Sequence, residues 1–164
     1  MIRTAKPSDV PVICQLIRDL AEYERLSHEV VLSEEKVKEH LFRERPYAEV
    51  LLAEEETEVV GFALFFYNYS TFLGKPGLYL EDLFVKPANR GKGHGKKLLT
   101  ALAKLAVERD CGRMEWAVLD WNEPSIQFYK GLGAGTMDEW TTYRLTGEAL
   151  VQAGEMCGGE INKG

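Results

Sequence analysis

Residues 90–95, Arg90-Gly91-Lys92-Gly93-His94-Gly95, place three alternating glycines between a segment patterned as a strand and one patterned as a helix. The preceding residues 78–85 are rich in β-forming side chains and stop at Pro87. After the loop, Leu98, Leu99, Leu102, Leu105 and Ala106 recur at helical spacing. A chain built this way must present backbone amides where a helix begins beside the end of a strand. Glycines permit the positive φ that aims such amides inward, and a helix N-terminus favours negative charge, so a pyrophosphate is the expected guest. Arg90, Lys92, Lys96 and Lys97 add positive charge to the same loop. Two other glycine loops do not fit. The nucleotide phosphate loop needs Gly-Lys-Ser/Thr, and the dinucleotide fingerprint needs two residues before its third glycine.

The remaining pattern sets the frame. Residues 1–4 read as a short strand, and Ser8 or Asp9 can cap a helix running through about Arg25 with Val10, Ile13, Ile17, Leu20 and Ala21 on one face. Ser33 with Glu34 and Glu35 opens a second helix that buries Val37 and Leu41. Residues 49–53 and 59–69 form a hairpin across the acidic segment 54–58, and Lys75-Pro76-Gly77 turns the chain into the strand before the loop. Beyond the glycine-loop helix come a strand at 114–119, a short helix at 125–131 and a last strand at 141–145. The expected fold is α/β (α+β), with a mixed, largely antiparallel central sheet flanked by helices. Residues 1–152 form the expected single domain, and the glycine-rich 153–164 a frayed tail.

Composition narrows the function. A net charge of −6 argues against wide contact with a nucleic-acid backbone. No apolar run approaches the roughly 20 residues that span a bilayer, and the opening residues are no signal sequence, so a cytoplasmic chain without membrane contact is expected. Cys14, Cys111 and Cys157 are odd in number and lack metal-ligand spacing, which implies reduced thiols and no metal, with Cys14 in the core and Cys157 in the tail.

The 90–95 segment, with its strand before and helix after, resembles the Arg/Gln-x-x-Gly-x-Gly/Ala signature of the GNAT superfamily of N-acetyltransferases. Leu20-Ala21-Glu22-Tyr23-Glu24, Tyr79-Leu80-Glu81-Asp82 and residues 121–130 extend the resemblance to its spermidine/spermine and thialysine N-acetyltransferase branch, over nearly the whole chain. The resemblance implies acetyl-CoA as co-substrate and a small amine as acceptor. Its pyrophosphate would be held at Arg90, Gly91, Lys92, Gly93, His94, Gly95 and Lys96, with His94 contributing its amide and its ring left in solvent. Leu83, Phe84 and Val85 would contact the pantetheine and acetyl group, and Asn122, Glu123, Pro124 and Ser125 the far side of the channel.

An alkylamine with a pKa of about 10.4 is almost wholly protonated at neutral pH, so a base is needed to free the nucleophile. The resemblance assigns that role to Glu81, acting through a water, and implies that Asp82 supports substrate charge. As neighbours on a strand they are expected to face opposite sides. Tyr129 matches the family's general acid for the departing thiolate and also borders the cofactor. Tyr23, Glu24, Glu81, Asp82, Glu115, Trp116 and Ala117 match acceptor contacts. The stretch Asp138-Glu139-Trp140-Thr141-Thr142-Tyr143 departs from the polyamine pattern, whereas residues 21–27 and 117–122 are closer to the thialysine branch. A lysine-like or diamine acceptor is therefore expected ahead of spermidine or spermine, with direct transfer in a ternary complex and a homodimeric assembly. A non-catalytic acyl-CoA sensor is the alternative from another class.

Overall fold

The computed structural model describes residues 1–157, 159 and 161 and divides into two compact units, Met1–Ala117 and Val118–Gly164. The first unit is built on five strands, β1 (Ile2–Thr4), β2 (Glu49–Glu55), β3 (Glu58–Ser70), β4 (Lys75–Val85) and β5 (Arg113–Trp116), which lie in sequence order across one sheet. Pairing is antiparallel from β1 to β4 and parallel between β4 and β5. The parallel pair needs a crossover, and α3 (His94–Glu108) supplies it. The mixed, largely antiparallel sheet with flanking helices is the expected one.

Both faces of the sheet are covered. On β2, Val50, Leu51, Leu52 and Ala53 are all buried, which a strand with one wet face would not show. α1 (Val10–Tyr23) packs Ile13, Leu16 and Leu20 against Val50, Leu52, Phe62 and Phe84. α2 (Glu34–Leu41) adds Leu41 to the margin of that cluster, and the Ser33 hydroxyl accepts the Lys36 N–H at 3.3 Å as its cap. On α3, Leu98, Leu99, Leu102 and Ala106 are buried against the sheet. Cys14 is in the core. No helix among the described residues is long and apolar enough to cross a membrane.

Several local expectations change. Asp9 precedes α1 without capping it, because its carboxylate accepts two bonds from Arg3, at 2.7 and 3.0 Å, and the Lys6 N–H at 2.8 Å. Arg3 also reaches Glu54 at 2.7 Å, which ties the first strand and the entry to α1 onto β2. β5 ends at Trp116 rather than at Leu119.

In the second unit, α4 (Glu123–Gly131) and α5 (Gly147–Glu155) are helical, but residues 141–145 form no strand. β-forming side chains make a strand only where a ladder partner receives them, and Thr141 to Leu145 have none among the described residues. α5 carries the chain in helical form through Ala153 to Glu155. Part of the expected tail, residues 158, 160 and 162–164, lies outside the described residues.

Candidate active site

β4 ends at Val85, a short 3-10 turn spans Pro87–Asn89, and the chain then passes through Gly91 at φ 77° and Gly93 at φ 81° into α3. A Cβ placed on either glycine would meet nothing within 4 Å, so backbone conformation and open space, not packing, call for glycine there. Gly93 is the N-cap residue and has no side chain with which to cap the helix. The Lys97 N–H donates to the Gly93 carbonyl at 3.0 Å, whereas the amides of His94, Gly95 and Lys96 precede this first intrahelical donor. A Cβ on Gly95 would lie 3.8 and 3.9 Å from Leu83 and Val85, so this helix start sits directly over the end of β4.

The strand beneath is irregular. Leu64 pairs with Asp82 but Phe65 with Leu80, which leaves Glu81 as the unopposed residue of a β-bulge. A bulge disturbs the regular pleat around it, and here Glu81 is exposed whereas Asp82 is half-buried. β4 also loses its neighbour on the other side: the register with β5 ends at Leu80 and Trp116, and residues 81–85 have no strand partner there among the described residues. An unpartnered strand edge presents backbone donors and acceptors to an extended amide-bearing ligand.

Three carboxylates gather at the bulge. Burial, then the charges of Glu81 and Glu24, raise the Asp82 carboxyl to about 6. Burial likewise raises Glu24, the C-cap residue of α1. The negative end of the α1 dipole adds to this field. Such a set favours a cation and suits an ammonium group about to lose a proton.

Residues 14–134 match the acetyltransferase (GNAT) family. The chain belongs to that family. It is 43% identical over 161 residues to a thialysine N-epsilon-acetyltransferase of Bos taurus, covering 92% of this chain and 94% of that protein. An L-ornithine N5-acetyltransferase of Arabidopsis thaliana is 38% identical over 91% of this chain and 85% of its own length. Among solved structures, an integron cassette protein from the mobile metagenome of V. cholerae superposes with a TM-score of 0.79 at 27% identity, covering 94% of this chain and 97% of that one. The GNAT chain described here is thus an amine N-acetyltransferase, and acetyl-CoA is the co-substrate of its family.

The residues present fit that co-substrate. Open glycine turns and the uncapped start of α3 suit a pyrophosphate, and the free stretch of β4 suits pantetheine amides. The loop's side chains, however, do not all play the expected parts. His94 is 6% exposed rather than left in solvent, and its Nε2 lies 3.3 Å from Glu55 on β2. The ring turns inward because the loop folds back over the β2–β3 hairpin. Lys92 and Asn89 also bond Glu55, at 2.7 and 2.9 Å. Arg90 directs its Nε to the Val85 carbonyl at 2.9 Å, while its guanidinium lies 4.4 Å from the centre of the Tyr23 ring and 5.5 Å from that of Phe84. It therefore fastens the loop to β4 and to the end of α1.

The other expected site residues divide between the two units. Tyr23 ends α1 in this same neighbourhood. Glu115 is engaged by Arg113 at 2.8 Å and by the Asn68 amide at 3.3 Å, which commits much of its charge locally. Trp116 is half-buried at the end of β5, and Ala117 is exposed. In the second unit, Asn122 is buried at the N-cap of α4, Glu123, Pro124 and Ser125 form its first turn, and Tyr129 lies on the same helix with its ring centre 5.5 Å from that of Phe128. Glu55 was not anticipated. It stands 34 to 39 residues from the groups it binds, and nothing in its local sequence distinguishes it from Glu54 or Glu56.

Proposed function

We propose that this enzyme acetylates the side-chain amine of a small lysine-like amino acid by direct transfer in a ternary complex. The observation that carries the reading is the juxtaposition on one strand of an anion-receptive loop, an unpartnered edge and a carboxylate cluster suited to a cation. The activities of the two relatives support the acceptor class, because thialysine and L-ornithine are both amino acids with a terminal side-chain amine. The reading treats residues 1–152 as one catalytic domain, supported by a family match over residues 14–134 that extends from the first compact unit into the second.

Acetyl-CoA supplies the activated thioester. Amides of residues 91–96 hold the pyrophosphate, and backbone along Leu83, Phe84 and Val85 aligns the pantetheine, with one amide free to stabilise the oxyanion. Asn122, Glu123, Pro124 and Ser125 complete the cofactor contacts. Tyr23, Glu24 and Asp82 receive the cationic acceptor, with Trp116 and Ala117 bordering it. Glu115 takes a lesser part because its carboxylate is already paired. Glu81 accepts the proton of the ammonium through a water, and Tyr129 returns a proton to the thiolate. The reading includes a cytoplasmic homodimer without metal, nucleic-acid or membrane partners.

The test is CoA release from acetyl-CoA with thialysine, lysine, ornithine, spermidine, spermine and short diamines, for the unaltered chain and Tyr129→Phe. Turnover should be highest with an amino-acid acceptor, and kcat of the variant should fall about a hundredfold or more, as expected for loss of a general acid. A clear preference for spermidine would overturn the acceptor, and an unchanged kcat the assignment of Tyr129.

A further inference from the structure

Three side chains of the glycine loop converge on one carboxylate of a different element. Glu55, the last residue of β2, accepts from Lys92 at 2.7 Å and Asn89 at 2.9 Å and lies 3.3 Å from His94 Nε2. These groups come from the 3-10 turn before the glycines, from the residue between Gly91 and Gly93, and from the first residue of α3. Together they bracket every positive-φ position of the loop. Two glycines with open space around them leave the segment intrinsically free, and an amide cradle is useful to an anion only if its amides already point inward. The opposite side of the loop is held by Arg90 on Val85. Glu55 supplies the matching hold on the hairpin side.

The geometry points to Glu55 as a positioning residue for cofactor binding, one that pre-organises the pyrophosphate amides through Asn89, Lys92 and His94 without touching the ligand itself. The inference rests on the acetyl-CoA reading of the loop. The hydrogen bonds from Lys92 and Asn89 hold the Glu55 carboxyl at about 2, so the anchor stays ionised throughout the range in which the enzyme would be assayed. His94 is oriented by the same anchor. Its ring is buried, and among the described residues its Nδ1 has no hydrogen-bond partner, so the Nε2 contact with Glu55 orients the ring.

Simple electrostatics and positioning predict opposite signs. Removing a carboxylate beside a polyanion should tighten binding, because a repulsive charge is lost and Lys92 is released toward the phosphates. If Glu55 positions the loop, its loss should weaken binding instead. CoA titrated calorimetrically into Glu55→Ala should show a Kd about tenfold higher than the unaltered chain, a change of about 1.4 kcal/mol, with Glu55→Gln in between because it keeps one acceptor. Glu58→Gln removes the same charge from the same hairpin, where it pairs with Lys86, and should leave the Kd unchanged. In ligand-free Glu55→Ala, hydrogen exchange should quicken at Asn89, Arg90 and Lys97, whose amides are hydrogen-bonded across the loop to the Lys86, Pro87 and Gly93 carbonyls, but not along β3 and β4. Steady-state kinetics should raise KM for acetyl-CoA without altering kcat. Equal or tighter CoA binding by Glu55→Ala, or unchanged exchange in the loop, would overturn the inference. Failure of the unaltered chain to bind CoA would overturn the cofactor reading along with it.

Discussion

Replacing Asp82 by Asn should make the protein more stable, by an amount that depends on pH. In the folded chain the Asp82 carboxyl is raised from 3.8 to about 6, first by burial and then by Glu81 and Glu24. A raised carboxylate opposes folding in its charged form. Below about pH 4 the group is protonated in both states and contributes no difference. Between about 4 and 6 the native state binds more protons than the unfolded one, so stability falls as pH rises, and above about 6 the loss is complete. The shift is about two pH units, which at 1.36 kcal/mol per unit amounts to at most about 3 kcal/mol. Asn keeps the shape and removes the titration. The stability advantage of Asp82→Asn should therefore be small at pH 4, grow through pH 6 and stay level at pH 7 to 8, where it corresponds to roughly 6 to 12 °C in Tm. Urea denaturation of both proteins from pH 4 to 8 measures the difference directly. Amine acetylation by the variant should fall, because the destabilising charge is the one held ready for a cation. An advantage that is the same at pH 4.5 and 7.5 would refute the argument that Asp82 is buried among like charges.

Two glycines give predictions of different kinds. Gly61 on β3 pairs with Val85, and a Cβ there would lie 2.7 Å from the Phe84 carbonyl oxygen, so Gly61→Ala must push β3 from β4 beside the glycine loop; a loss of about 2 kcal/mol in denaturant unfolding is expected, against none if the strands part freely. Gly93→Ala meets no atoms but must hold φ near 81°, which costs about 1 kcal/mol or more and turns the first amides of α3; CoA affinity should drop while the melting temperature moves by only a few degrees, and unaltered affinity would count against those amides as the phosphate contacts.

Much of the frame was legible because its causes are local. The helical recurrence of Leu98, Leu99, Leu102 and Ala106 needs one helix face on a sheet, and all four are buried. Ser33 caps α2 through a bond to the Lys36 N–H three residues on. Where neighbours in space mattered more than neighbours in sequence, local reading failed. Thr141 to Leu145 have the composition of a strand, yet a strand is a relation between two segments. Asp9 has the chemistry of a cap, yet the Arg3 guanidinium takes its carboxylate.

The same division runs through the site. The order of residues along the chain dictated the strand, the alternating glycines and the helix that follows, because φ preferences, turn chemistry and periodicity act over a few residues. It also placed Glu81 and Asp82 in the middle of an apolar strand. Long-range packing put Glu81 on a bulge, brought Glu24 close enough to raise the Asp82 carboxyl, and gathered Asn89, Lys92 and His94 on Glu55. Burial and charge proximity depend on which distant segments the fold brings together, and no short stretch of chain carries that information.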